Sequence, residues 1–256
     1  RRGIHHALPD RREGPDDAKP AAETANETLK TIYSMRTIHG NFKKQAIPDE
    51  QIEQILDAGL QAANSSNMQT YSIVVVKDRT KIRNLCGYTG SCLLLYCVDY
   101  NRIRDNAQYL NYTYYADNMV HFVTGSTNAI LAAQTAVIAA KSLGIDSLLT
   151  NGIHRGDMER IWKLVDLPAE GCFPLIALVL GYPTTEPDHD RGRLDGPGII
   201  HRETYHRATK EELAKITERY DDAKTYLATN DEWKKAGHKH FQDWLYGTWL
   251  RGSAKP

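Results

Sequence analysis

Apolar residues fall along this chain in two rhythms, helical stripes and short unbroken runs. Ile52, Ile55, Leu56, Gly59 and Leu60 recur at helical spacing behind Pro48-Asp49-Glu50, a combination that opens helices, and predict a helix ending near Ala63. Tyr71 to Val76 and Cys92 to Val98 are compact apolar runs between polar segments, the pattern of buried strands. Asn128 to Leu143 is apolar almost all round and rich in alanine, so it predicts a helix buried at a domain centre or a subunit interface, ended by Gly144. Beyond it, Ile145 to Thr150 predicts a short strand and Arg155 to Val165 a helix. Pro174 to Leu180 predicts a further buried strand stopping at Gly181-Tyr182-Pro183. The order is mixed α and β.

The polar stretches divide the chain. Residues 1–26 carry Pro9, Pro15, Pro20 and many charges with almost nothing to bury, and read as a flexible arm. The body is expected over 27–230. Within it, Tyr100 to His121 is polar, tyrosine-rich and weakly periodic, which predicts an irregular excursion near a site. Lys210 to Leu227 predicts an amphipathic helix with Glu211 and Lys215 as an i,i+4 pair. The tail, 231–256, crowds Trp233, Phe241, Trp244, Leu245, Tyr246 and Trp249 together. Aromatic surface of that size is costly in water, so the tail is expected to dock, on the body or on a second subunit of a dimer.

Charge narrows the partners. Thirty-two basic residues balance 32 acidic ones over 256 positions, which leaves no field to attract nucleic acid or an anionic membrane. The longest strongly apolar stretches fall short of the roughly 20 residues that span a bilayer, and no apolar core follows Arg1-Arg2. A cytoplasmic protein is the expectation. Cys86, Cys92, Cys97 and Cys172 show no metal-ligand spacing and suit small buried thiols. His5-His6 and the pair His238 and His240 lack companion ligands and read as surface or tag-like residues, so no metal is expected. No GxGxxG follows a strand, Gly87-Tyr88-Thr89-Gly90 carries too little of that pattern, and Walker A, HExxH and GxSxG are missing.

Three ordered segments resemble the FMN-dependent nitroreductase family. Ser34-Met35-Arg36-Thr37-Ile38-His39, with Phe42 and Ile47-Pro48-Asp49-Glu50 behind it, is similar to the family's opening Arg-Arg-Ser-x-Arg motif and first helix start. Met35 and His39 depart from the basic positions, and one extra residue precedes Phe42. Ala63-Asn64-Ser65-Ser66-Asn67-Met68-Gln69-Thr70-Tyr71 is similar to Ala-Pro-Ser-x-x-Asn-x-Gln-Pro-Trp, with Asn64 and Thr70 at the proline positions. The third segment runs from Asn128 through Leu143-Gly144-Ile145 and Leu167-Pro168 to Gly181-Tyr182-Pro183. A basic loop with Arg191 and Arg193 follows, then His201-Arg202-Glu203-Thr204-Tyr205.

The resemblance implies an α+β nitroreductase-like fold: a central mixed, mostly antiparallel sheet flanked by helices, dimeric with an exchanged C-terminal segment. It implies FMN at the subunit interface of a homodimer, with NAD(P)H as electron donor and a small-molecule acceptor such as a nitroaromatic or quinone. Arg36 and Arg193, with Arg191 beside it, are implied for the FMN phosphate, because guanidinium forks match phosphate oxygens. Thr37, Ser65, Ser66, Asn67 and Gln69 are implied for the ribityl chain and ring edge. Backbone amides of Leu149, Thr150, Asn151 and Gly152 are implied beside flavin N5 and O4, and His39 beside N1 and O2. No dedicated catalytic side chain is implied, since flavin N5 carries the hydride. Taken without the resemblance, Arg191 and Arg193 suit a solvated loop, Ser65-Ser66-Asn67 suits a helix-ending turn, and His39 suits an ordinary loop. Reductive dehalogenation, enone reduction, an oxygen-using activity or non-catalytic flavin binding are the alternatives on the same scaffold.

Overall fold

The structure, a computed structural model, describes residues 26–115 and 118–253. The arm expected over 1–26 lies outside the described residues, Asn26 apart. The chain divides into two compact units, the first ending at Thr184 and the second beginning at Thr185. The expected boundary near Asn230 therefore falls inside the second unit.

The first unit holds α1 (Glu27–Tyr33), α2 (Asp49–Leu60), β1 (Tyr71–Val76), α3 (Arg79–Cys86), β2 (Cys92–Asp99), α4 (Asn101–Tyr109), α5 (Met119–Ser142), β3 (Asp146–Thr150), α6 (Glu159–Val165) and β4 (Cys172–Gly181). Its four strands form one sheet in the order β1-β2-β4-β3, with every neighbouring pair antiparallel. Among the described residues the parallel element is a single bridge, Thr37 to Ser147, on the outer edge of β3. The fold class is thus α+β, as the resemblance implies.

Strand residues point alternately to opposite faces, and here both faces are covered. Leu94, Tyr96, Leu178 and Leu180 pack with Ile52 and Ile55 of α2 and with Ala129, Ala132, Ala133 and Ala136 of α5. Leu93, Leu95, Ala177 and Val179 pack on the other side with Ile82 and Leu85 of α3 and Ile161 of α6. Burial on both faces explains why β2 reads as an unbroken apolar run and not as an alternating one.

Strand and helix positions follow the sequence pattern, and the ends show what the pattern lacked. α3 lies where no helix is predicted: the Asp78 carboxylate accepts the Lys81 amide at its start, and Gly87, at φ +81°, closes its end. Asn101 to Tyr109 is helical where an irregular excursion is predicted. The helix has no buried residue, so it carries no apolar stripe to read; it begins where Asp99 accepts the Asn101 amide. α5 starts nine residues before Asn128, because Asn118 accepts the His121 amide. At 24 residues, α5 is by length and composition apolar enough to cross a bilayer, which corrects the expectation that no stretch reaches that length. Its buried face packs on the sheet and α2.

The second unit holds α7 (Lys210–Asp221), α8 (Glu232–Lys235), α9 (Phe241–Trp244) and a π-helical turn at Leu245–Trp249. α7 opens on a capping box between Thr209 and Glu212. Glu212 also meets His206, while no ion pair joins Glu211 to Lys215. Trp233, Phe241 and Trp244 are buried against Tyr220, Ala228 and Leu245 of the same unit. Much of the tail is therefore covered by its own chain, leaving Tyr246, Trp249 and Leu250 exposed. His240 is structural, not tag-like: its Nδ1 lies 2.6 Å from Asp221 Oδ2, and Asp221 Oδ1 accepts the Phe241 amide, which pins α9 to α7.

The crossing of α2 on α5 sets one layer. A Cβ at Gly59 would lie 3.2 Å from the Ala132 carbonyl oxygen and 3.5 Å from Ala136 Cβ. Gly59→Val should destabilise the protein by about 1–3 kcal/mol through overpacking. Urea unfolding checks this; a midpoint equal to wild type would show that the layer has slack.

Candidate functional site

Strand ends decide which residues meet. The segment carrying Arg36, Thr37 and His39 runs along the free edge of β3, with the Ile38 amide donating to the Ser147 carbonyl at 3.0 Å. β3 then delivers Leu149 and Thr150, and Asn151 and Gly152 follow at the same end of the sheet. Tyr88 joins the two pieces. Its ring centroid lies 6.1 Å from that of His39, and a Cβ added at Gly152 would lie 3.5 Å from Tyr88 Cε2. The same added Cβ would meet the Cys86 carbonyl oxygen at 2.7 Å, so only glycine fits there.

Arg36 has a definite partner. Its Nη2 lies 2.7 Å from Asp146 Oδ2 and its Nε 3.2 Å from both carboxylate oxygens, while Lys141 Nζ lies 2.9 Å from Oδ1. The Asp146 side chain is 5% exposed. Burial pushes its carboxyl upward, but the hydrogen bonds and charges of Arg36 and Lys141 outweigh burial and hold it below the usual carboxylate range. Two cations against one carboxylate give these three groups a net positive charge at the β3 edge. The Gly152 amide also has a partner, Thr150 Oγ1 at 2.9 Å.

Ser65, Ser66, Asn67 and Gln69 lie on the loop entering β1, at the same end of the sheet but on its opposite edge. Three inter-strand spacings, about 14 Å, separate β1 from β3. The loop is conformationally unusual: Ser66, Asn67 and Gln69 have φ of 52°, 54° and 49°, a left-handed region that side chains disfavour and that clusters at functional sites. A plain helix-ending turn needs one such residue.

Arg191 and Arg193 lie in the second unit. Arg191 donates to the carbonyls of Ala228 and Thr229 at 3.0 Å each, and Arg193 to those of Arg191 and Gly192 at 3.2 and 2.9 Å. The structure therefore strings Arg36, Thr37 and His39 along the β3 edge, Arg36 at the strand's start and His39 toward 149–152 at its end, and gathers Ser65 to Gln69 separately. Among the described residues, no group of three or more His, Cys, Asp or Glu side chains is placed to hold a metal ion.

The profile of the nitroreductase family matches residues 32–182, which span the β3 edge group, the β1 loop and the whole sheet. The chain belongs to the nitroreductase family. A Bacillus subtilis FMN reductase (NAD(P)H) is 27% identical over 207 residues, covering 77% of this chain and 81% of that protein. The structure of Bacillus megaterium NfrA2 superposes with a TM-score of 0.74 at 25% identity, covering 88% of this chain and 92% of the other. The Vibrio harveyi NADPH:FMN oxidoreductase complexed with NAD+ superposes with a TM-score of 0.69 at 25% identity, covering 86% and 96%. As a member of this family the protein is an oxidoreductase of the FMN-dependent, NAD(P)H-using kind.

Sequence reasoning passed over Tyr88 and Asp146. Asp146 carried a signal, a carboxylate inside a stretch that predicts a strand. Tyr88 carried none, because its contacts are with segments distant in sequence.

A carboxyl whose pKa is lowered by folding stabilises the fold above its unfolded value and loses that contribution as pH falls through the folded one. Asp146→Asn should therefore cost about 2 kcal/mol at pH 7, with the gap to wild type closing below about pH 4. Denaturant titrations at pH 7 and pH 3 check this; a gap that stays constant would separate Asp146 from the Arg36–Lys141 pair.

Proposed function

We propose that the protein catalyses NAD(P)H-dependent reduction of a small organic acceptor, a nitroaromatic or quinone, with FMN bound between two copies of the chain in a cytoplasmic homodimer. The observation that carries the reading is the division of polar groups between the two outer edges of the sheet. The β3 edge supplies the Arg36 guanidinium, the Thr37 hydroxyl and the His39 imidazole. The β1 loop supplies the hydroxyls of Ser65 and Ser66 and the amides of Asn67 and Gln69. FMN presents a phosphate dianion, a hydroxylated chain and a ring edged with donors and acceptors, and this donor set fits it. Because two strands separate the edges, the reading has each flavin take its β3-edge contacts from one chain and its β1-loop contacts from the other. The exposed apolar face of α5, with Met119, Val120, Val123, Ile130 and Leu131, supports a second copy as neighbour. Exposed Tyr246 and Trp249 support docking of the tail end on that copy.

When bound, FMN supplies the hydride chemistry, taking a hydride from NAD(P)H at N5 and passing it to the acceptor. Arg36, held by Asp146, is proposed for the phosphate; Arg193 and Arg191 are proposed for it on the family resemblance alone. Thr37 and Ser65 orient the ribityl chain, and Asn67 and Gln69 address the ring edge. His39, steadied by Tyr88, places an imidazole by N1 and O2, where negative charge gathers on reduction. Backbone at 149–152, where β3 ends, would hold the N5 and O4 edge of the ring. The free thiols of all four cysteines suit a reducing compartment.

A visible spectrum of the purified protein should carry flavin bands that NADH or NADPH bleaches anaerobically. Colourless protein that fails to take up added FMN would overturn the proposal. Arg36→Ala and Arg193→Ala should each weaken FMN by about 1.5–3 kcal/mol while leaving riboflavin nearly untouched, since charge-assisted bonds of this size are lost only with the phosphate. Fluorescence titrations with the two flavins check this, and equal losses for both would move the phosphate elsewhere.

A further inference from the structure

We infer that Asn128 and Arg102 are positioning residues that hold the Ser65–Gln69 loop in its flavin-facing shape. The inference rests on the proposed contact between that loop and the flavin. A segment with three side-chain-bearing residues in the left-handed region does not keep that shape unaided. Inside the loop, Asn64 Oδ1 accepts the Gln69 amide at 3.0 Å and the Ser65 carbonyl accepts the Met68 amide at 3.0 Å. Two helices grip it from outside. From α5, Asn128 Oδ1 accepts the Ser65 amide at 3.1 Å, and Asn128 Nδ2 donates to Thr70 Oγ1 at 2.7 Å, so one side chain ties both ends of the loop. From α4, Arg102 Nη2 donates to the carbonyls of Met68 and Gln69, at 2.7 Å each, across the strained centre.

Asn128 is 2% exposed and Thr70 fully buried, so water cannot take over the α5 clamp. The position is otherwise made for an apolar residue: Ala129, Ala132 and Ala133 follow it on the buried side of α5. A buried amide there is costly unless both its ends are bonded, and both are, to the loop and its exit. Arg102 is exposed, and its guanidinium is directed to backbone carbonyls. Preorganising the loop removes an ordering cost that the flavin would otherwise meet on binding.

The test compares Asn128→Leu, Asn128→Asp and Arg102→Ala with Ser65→Ala and Gln69→Ala. Holoprotein loaded with FMN or with riboflavin is diluted and flavin release followed by recovered fluorescence; midpoint potentials are measured alongside. Asn128→Leu and Arg102→Ala should each weaken both flavins by about tenfold or more, and by equal factors, because the loop addresses the ring and ribityl chain. Both should also shift the midpoint potential, a readout that loss of stability alone does not move. Asn128→Asp keeps an oxygen for the Ser65 amide, and the Thr70 hydroxyl can turn to donate, so it should bind within about threefold of wild type. If Asn128→Leu fails to fold by circular dichroism, Arg102→Ala decides. Wild-type affinity and potential in the clamp variants, with loss in Ser65→Ala and Gln69→Ala, would overturn the inference alone. Wild-type behaviour in Ser65→Ala and Gln69→Ala as well would remove the flavin contact itself, and the inference with it.

Discussion

Leu93, Leu95 and Cys97 leave one face of β2 and Leu94 and Tyr96 leave the other, and all five are fully buried. A strand in that position cannot tolerate water on either side, so the chain has to supply two helical layers and a neighbour along each edge. β1 and β4 are the neighbours, α2 with α5 form one layer, and α3 with α6 form the other. Once this is satisfied, little freedom remains in where the connecting segments emerge. The loop into β1 and the exit from β3 leave at the same end of the sheet, on its two opposite edges, as a by-product of core packing.

The cost of that packing is met where charge enters the sheet. Asp146 begins β3 almost wholly out of water, which is tolerable because Arg36 and Lys141 reach it from a bridging segment and from the end of α5. The bridge between Thr37 and Ser147 and the ion pair beside it fasten the Arg36–His39 segment to the strand edge by two different means. A guanidinium held in this way loses little freedom when an anion arrives, the condition under which a charged hydrogen bond contributes most to binding.

The Ser65–Gln69 loop is held through its backbone, by the Asn128 amide and the Arg102 guanidinium. Asn128 interrupts an alanine face that would pack well with any small apolar residue, and α4 presents Arg102 to backbone carbonyls although the helix buries nothing. Both local exceptions to good packing converge on one strained loop. Departures of this kind, where a sequence gives up local stability, are where function is commonly found.

Periodicity and turn chemistry carried the strands, the start of α2, the alanine-rich helix and the motifs of the family, because those features follow from spacing along the chain. Ser65, Asn67 and Gln69 were recognisable as a group for the same reason. Helix ends set by single caps were less legible: Asn118 moved the start of α5 by nine residues, and Asp78 opened α3 in a stretch with no apolar stripe long enough to notice. Tertiary structure alone decided that Arg36 meets Asp146, 110 positions away, that Tyr88 stands by both His39 and Gly152, and that the β1 loop lies across the sheet from β3. These are pairings between remote segments, fixed by strand order and by which helix covers which face. No local pattern encodes them, because the free energy that selects them comes from closing a core shared by the whole unit.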